Sequence, residues 1–228
     1  MPELQRVAFF KDINDVDLAV YERRCNWRRF DEGNVAVDFE DHSTDVYFIL
    51  SGEVRVLIRT ASGKEIILGD IGSGQMFGEL AAIDQIARSA NVTMLTRAEI
   101  CIMPASVFLD IVHASKLMCD KVMRLLAGRV RELNARVTEY SVFDLKHRLY
   151  AELLRLSLPR SGHPGEKILS PPPVHHVLAA RIGCRREQIS RELTHLAEEG
   201  LVLKNRGGLV LLKPQILKAR LEGALSAG

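Results

Sequence analysis

Residues 169–214 read LSPPPVHHVLAARIGCRREQISRELTHLAEEGLVLKNRGGLVLLKP, and the way this run parses decides the architecture of the C-terminal part of the chain. Ser170 followed by Pro171 has the form of a helix cap with proline at the first helical position, where a missing N–H costs little. From there Val174, Leu178 and Ala179 carry a helix to Gly183. After the turn IGCRR, a second helix puts Ile189, Leu193, Leu196 and Ala197 on one face and stops at Gly200. Two short β-rich segments, LVLKN and GLVLLK, flank the Gly207–Gly208 turn. Helix, glycine turn, helix and two-stranded wing make a winged helix-turn-helix.

Upstream, PRSGHPGEK is a loop by composition and VFDLKHRLYAELLRLSL is helical. Residues 114–140 form one long amphipathic helix, with Met118, Val122, Leu125, Leu126, Val130, Leu133 and Val137 recurring every three or four positions between charged residues. At 1.5 Å per residue it spans roughly 40 Å, longer than one small domain needs. Part of its stripe is therefore expected to pack against a second copy of the same helix in a coiled-coil-like seam. Gly128 in its interior, worth about 1 kcal/mol less than Ala there, suggests a close approach. Before Pro104 the period is that of short strands: GNVAVDFE, DVYFILSGEVRVLIRT and KEIILGDI are separated by Gly, Asp and Ser clusters, as in an antiparallel roll.

The 228 residues are 47% hydrophobic and 26% charged, which excludes a disordered chain. No run approaches the roughly eighteen apolar residues of a membrane helix, and the start MPELQRVAFFKDIND lacks a signal-peptide layout; a cytoplasmic protein with no membrane partner is expected. Cys25, Cys101, Cys119 and Cys184 show no CxxC or CxxH spacing and read as free thiols. Net charge is only +2, but from Ser170 onward nine Lys and Arg face five Glu and no Asp, so the winged segment is the basic end.

FGELAAIDQIARSANV, residues 77–92, sets Glu79 and Arg88 nine positions apart among small and apolar residues. From the residues alone, the two either form a salt bridge between strands or each serve a ligand.

Three motifs in order, this segment, the long helix and GCRREQISREL (residues 183–193), resemble the cyclic-AMP receptor protein and fumarate-nitrate regulator (Crp-Fnr) superfamily of bacterial transcription regulators, in its cyclic-nucleotide-binding branch. The resemblance covers nearly the whole chain. It implies an α+β fold with an N-terminal antiparallel β-roll (jelly-roll) cyclic-nucleotide-binding domain over residues 1–113, the dimerisation helix over 114–140 and the winged helix-turn-helix DNA-binding domain over 141–228. It implies no enzyme, but a homodimer bound to a two-fold symmetric operator in double-stranded DNA, with RNA polymerase as a further partner if it activates.

By resemblance, Gly78 admits close backbone approach, and the N–H groups of Glu79, Leu80 and Ala81 start a short helix suited to an anion. Glu79 accepts from the ribose 2′-hydroxyl, while Arg88 and Ser89 hold the phosphate. Arg88 is then a ligand residue whose loss leaves the dimer folded. Counting back from Asp144, the family's adjacent hydroxyl residues fall on Leu133 and Asn134. Leu133 offers no hydrogen bond, whereas the Asn134 amide donates and accepts, so cAMP and cGMP both remain open as the ligand. Arg129, one turn earlier, either supports the site across the dimer or is solvated. In the second helix of the head, Arg186, Glu187 and Arg191 are implied to read a half-site like TGTGA, with half-sites about 34 Å apart. Arg185 and Gln188 are implied phosphate or flanking contacts. A Glu187–Arg191 surface salt bridge accounts for two of these residues equally well.

No metal, haem or iron-sulfur cluster is expected. Only Cys25 lies where an iron-sulfur branch clusters its thiols, and His42, in the turn EDHST, is the only histidine of the roll that could join Pro2 on a haem. A lone histidine also cannot supply the ligands of a jelly-roll metalloenzyme. His175 and His176 read as helix-surface residues. The rival from another class is a cyclic-nucleotide module acting on a protein partner, against which the basic C-terminal segment argues.

Overall fold

Glycine- and Asp-rich turns separate eight strands in the N-terminal half: β1 Asn26–Phe30, β2 Val35–Val37, β3 Val46–Ser51, β4 Glu53–Arg59, β5 Glu65–Gly72, β6 Met76–Phe77, β7 Asn91–Met94 and β8 Ala98–Met103. The structure is a computed structural model that describes residues 3–227; Pro2 lies outside them. It divides into two compact units, Met1–Val130 and Arg131–Gly228.

In the first unit the strands form two four-stranded sheets, ordered β1-β8-β3-β6 and β2-β7-β4-β5, with antiparallel neighbours throughout. Strand β3 shows how one strand serves two cores. Val46 and Phe48 pack with Phe10 and Phe108, while Tyr47 and Ile49 face Val54, Phe77 and Met94 inside the roll. The two-residue period of a strand requires this division, and each such buried side chain contributes about 1.5 to 3 kcal/mol. The outer cluster is closed by helices α1 Leu18–Glu22, α3 Ala105–Ala114 and the first turns of α4 Lys116–Val142; a one-and-a-half-turn helix, α2 Glu79–Asp84, follows β6.

Helix α4 does not run on from α3. Ser115 separates them: its hydroxyl accepts from Met118 N at 3.0 Å, capping α4, and donates to Asp15 at 2.6 Å. The apolar stripe of α4 is in fact two stripes. Met118 and Val122 are buried in the outer cluster of the roll, with Leu125 and Leu126 against it. Met123, Val130 and Val137 recur at seven-residue intervals and are 55 to 64% exposed, and Leu133 and Tyr140 are 57 and 45% exposed. Gly128 is not explained by intrachain packing, because a methyl group there meets nothing within 4 Å.

The second unit holds α5 Leu145–Leu156, β9 Leu158–Pro159, β10 Lys167–Leu169, α6 His175–Ile182, α7 Arg186–Glu198, β11 Val202–Asn205, β12 Gly208–Leu211 and α8 Pro214–Ala227. Its sheet is ordered β11-β12-β10-β9, so the wing is broader than the two strands read from sequence. Asp144 caps α5, accepting from His147 N at 3.0 Å and facing its ring at 2.7 Å; although burial acts against it, these hydrogen bonds hold the carboxyl below its ordinary range. Gly183 ends α6 with φ +71°, a conformation that favours glycine.

The start of α6 corrects the sequence reading. The helix begins at His175 with Val174 at the cap, not at Ser170. Each proline disfavours helical geometry in the residue before it, so Ser170, Pro171 and Pro172 are all kept out of the helix. The Ser170 hydroxyl instead donates to Gly207 O at 2.8 Å, fastening the proline run to the wing turn.

One buried ionic cluster joins the last turns of α4 to α5 and α6. Glu152, 1% exposed, accepts from Arg155 and from Arg181 (3.3 Å) and lies 3.9 Å from Arg136. Arg155 also bridges to Glu139. The Tyr140 hydroxyl donates to Arg181 O at 3.0 Å, and Arg148 lies over the Tyr140 ring and donates to Ile182 O at 3.2 Å.

Candidate functional site

The residues from β6 to β7 fold around one buried guanidinium. Arg88 is 3% exposed and donates Nη1 to Gly78 O at 2.9 Å, Nη2 to Asp45 O at 2.8 Å and Nε to Ser43 Oγ at 3.1 Å. Its Cζ lies 5.6 Å from the centre of the Tyr47 ring, which stacks on Phe77 at 4.7 Å. Gly78 is required here twice over. Its φ is +86°, and a Cβ would fall 2.7 Å from Arg88 Nη1 and 2.8 Å from Asp45 O. Three of the guanidinium's five N–H groups are thus engaged within the chain.

Glu79 is the first residue of α2 and is 1% exposed. It does not pair with Arg88. Its Oε1 accepts from Arg129 Nη1, and Arg129 Nη2 donates to Met76 O at 2.8 Å. Glu79 Oε2 is buried with no hydrogen-bond partner. A buried carboxylate oxygen in that condition calls for a donor. Leu80 and Ser89 are exposed and Ala81 is buried. The salt bridge between Glu79 and Arg88 that spacing allowed is therefore absent, and Arg129 reaches Glu79 within its own chain rather than across a dimer. Ser43 and Asp45, which steady Arg88, were not singled out from sequence; the Asp45 contact is through backbone, which no side-chain motif marks.

Asn134 is exposed on α4 in the second unit, and its own carbonyl accepts from Thr138 Oγ1 at 3.0 Å. In α7, Arg186, Glu187 and Arg191 are exposed and, among the described residues, carry no ion pair, so the Glu187–Arg191 bridge does not form. Arg185 occupies the cap position, where its backbone N–H donates to Gln188 Oε1 at 3.0 Å. Gln188 thus has a capping role through its side-chain carbonyl. Beside this helix, His175 Nδ1 lies 2.8 Å from Ser190 Oγ, and burial followed by Lys204 and Arg186 lowers its pKa from the ordinary 6.5.

Among the described residues no group of three or more His, Cys, Asp or Glu could hold a metal ion, the four cysteines form no disulfide, and no helix is long and apolar enough to cross a membrane.

Comparison with known proteins assigns both units. The family described as cyclic nucleotide-binding domain matches residues 27–115, and the Crp-like helix-turn-helix domain matches residues 147–220. The cyclic AMP receptor protein of Thermus thermophilus is 29% identical over 204 residues, 90% of each chain. The cAMP-activated global transcriptional regulator Vfr of Pseudomonas aeruginosa is 27% identical over 185 residues, 78% of this chain and 85% of that protein. A solved CRP/FNR-family transcriptional regulator, also from Thermus thermophilus, shares the fold with a TM-score of 0.68 at 23% identity, covering 86% of this chain and 98% of that one. These relatives are transcription regulators rather than enzymes, and the order of roll, long helix and winged head is theirs. The chain belongs to the Crp-Fnr family of transcription regulators.

Proposed function

We propose that the protein is a homodimeric regulator in which a cyclic nucleotide bound to the roll favours one arrangement of the DNA-reading heads on a palindromic, TGTGA-type operator. The observation that carries this reading is Glu79 Oε2, a buried carboxylate oxygen without a donor in the segment that also holds the buried Arg88. A ribose 2′-hydroxyl supplies that donor, and the Arg88 guanidinium with the exposed Ser89 hydroxyl suits the cyclic phosphate. Gly78 and the backbone N–H groups of Glu79, Leu80 and Ala81 complete the cradle, Arg129 holds Glu79 in place, and Asn134 reads the purine. The names of the relatives favour cAMP. The Asn134 amide keeps cGMP as a second ligand, since it can meet either purine edge.

The dimer forms along the exposed seam of α4, where Met123, Val130 and Val137 alternate with Leu133 and Tyr140 in heptad spacing. Arg186, Glu187 and Arg191 contact bases from the N-terminal half of α7, and Arg185 and Gln188 contact the flanking backbone. The protein acts in the cytoplasm, with RNA polymerase as its partner where it activates.

The ribose contact is tested by calorimetric titration of cAMP and 2′-deoxy cAMP into the protein and into Glu79→Gln. A hydrogen bond to a charged acceptor is worth about 1.5 to 3 kcal/mol, so the deoxy analogue is expected to bind the unaltered protein about 10- to 150-fold more weakly. In Glu79→Gln the gap should shrink to about threefold or less. Equal affinity of the two nucleotides for the unaltered protein removes Glu79 from the ribose.

A further inference from the structure

Between α7, the wing and the proline run lies an open cleft of about 620 Å³ whose character is not that of a simple gap between packed elements. Its apolar floor includes Leu209, but its rim carries His175 from α6, Arg186, Ser190 and Thr194 from α7, and Lys204 from β11. No carboxylate lines it. The charged groups that act on His175 are both cations, Lys204 and Arg186, and the Ser190 hydroxyl lies beside the ring. Such a surface is complementary to a single negative charge arriving from outside the protein.

We propose that this cleft seats one phosphate of the duplex backbone against Lys204 and a protonated His175, so that DNA binding draws one proton into each reading head. This rests on the DNA-binding role of the second unit and adds to it a contact and a proton linkage. The Ser190 hydroxyl, 2.8 Å from Nδ1, fixes the ring on the recognition helix, so Nε2 is the nitrogen left for the phosphate. In the free protein, burial and then Lys204 and Arg186 disfavour the imidazolium. A phosphate between these cations reverses the sign of the local field and favours it. The bound-state pKa thus lies above the free-state pKa, so the gain in affinity is fully present below the free value and is lost as pH rises through the bound value. The second histidine of the pair, His176, is exposed and does not line the cleft.

The test measures affinity by fluorescence anisotropy between about pH 5.5 and 8 for the protein, His175→Gln and His176→Gln, at several salt concentrations. Two labelled duplexes are used, one carrying two inverted TGTGA half-sites and one of scrambled sequence, since a phosphate contact operates on both. Gln keeps a hydrogen-bonding partner for Ser190 without a titratable charge. The unaltered protein and His176→Gln are expected to tighten on both duplexes as pH falls, by up to about tenfold per pH unit for each head. Their salt slope should steepen by about 0.9 per head at the acid end. His175→Gln should lose both effects while melting like the unaltered protein. Identical pH and salt dependence in His175→Gln overturns the proposal. Absence of binding to either duplex at any pH overturns the DNA-binding reading and the proposal together.

Discussion

Replacing Arg88 by leucine is expected to abolish cyclic-nucleotide binding and also to weaken the roll by about 2 to 4 kcal/mol, since hydrogen bonds from a charged donor are worth about 1.5 to 3 kcal/mol each and are not additive. The second half of this result does not follow from the sequence motif, which casts Arg88 as a ligand residue whose loss leaves the fold intact. In the structure its guanidinium closes the gap between Gly78, Asp45 and Ser43, and leucine leaves those acceptors facing an apolar side chain. Urea unfolding with and without nucleotide separates the two roles. At a free ligand concentration about 100 times Kd the unaltered protein gains about 2.7 kcal/mol; Arg88→Leu should gain nothing. Ligand-induced stabilisation in the variant removes Arg88 from the site, and unchanged stability without ligand removes it from the scaffold.

Glu152→Ala is expected to be the most damaging single change in the second unit, at about 3 to 5 kcal/mol. The carboxylate is 1% exposed and is approached by Arg155, Arg181 and Arg136, so its removal takes away the buried acceptor that these three guanidinium groups share, while Arg155 keeps Glu139. The loss reflects clustered guanidinium groups deprived of a shared buried carboxylate rather than a large net gain from the pair itself. Glu152→Met combined with Arg181→Met should therefore recover most of the deficit in a urea titration. A double variant as unstable as Glu152→Ala contradicts this reading and points to lost shape instead. Because the cluster ties Arg136, Glu139 and Tyr140 of α4 to α5 and α6, the same variant should also slacken the head on the end of the long helix. Faster amide exchange at residues 136–142 and 181–183 is the sign to look for.

Much of this architecture was legible because local chemistry and long-range packing agree. The alternation of VYFIL predicts a strand with two apolar faces, and both faces are buried, one in each cluster of the first unit. The turn at Gly183 is visible because a positive φ selects glycine, and the wing because Gly207 and Gly208 divide two apolar runs. Where the reading failed, competing local rules were at work. Ser-Pro before an apolar run satisfies the rule for a helix start, but the two prolines that follow extend the chain past it, and the serine is taken by the wing. Helix α8, with Gly223 in its interior and Leu217 carrying its docking, was not singled out.

In the site, residue types were legible and partners were not. Glu79 and Arg88 stand out as charges in an apolar segment, and both are buried, at 1 and 3% exposure. That Arg129, fifty positions away, meets Glu79 depends on where α4 passes the roll. That Arg88 rests on two carbonyls depends on backbone atoms every residue possesses. His175 looked like an ordinary surface residue because its surroundings, Lys204 and Ser190, come from two other elements.

The central claim is that nucleotide at the roll and DNA at the head are energetically coupled. It is tested most directly by titrating the protein into a labelled duplex with two inverted TGTGA half-sites, with no nucleotide, with saturating cAMP and with saturating cGMP. Coupling of about 1 to 3 kcal/mol, typical of allosteric pairs, corresponds to 5- to 150-fold tighter binding with the cognate nucleotide. The expected result is a shift in that range for at least one nucleotide, lost in Arg88→Leu. The same affinity in all three titrations contradicts the claim.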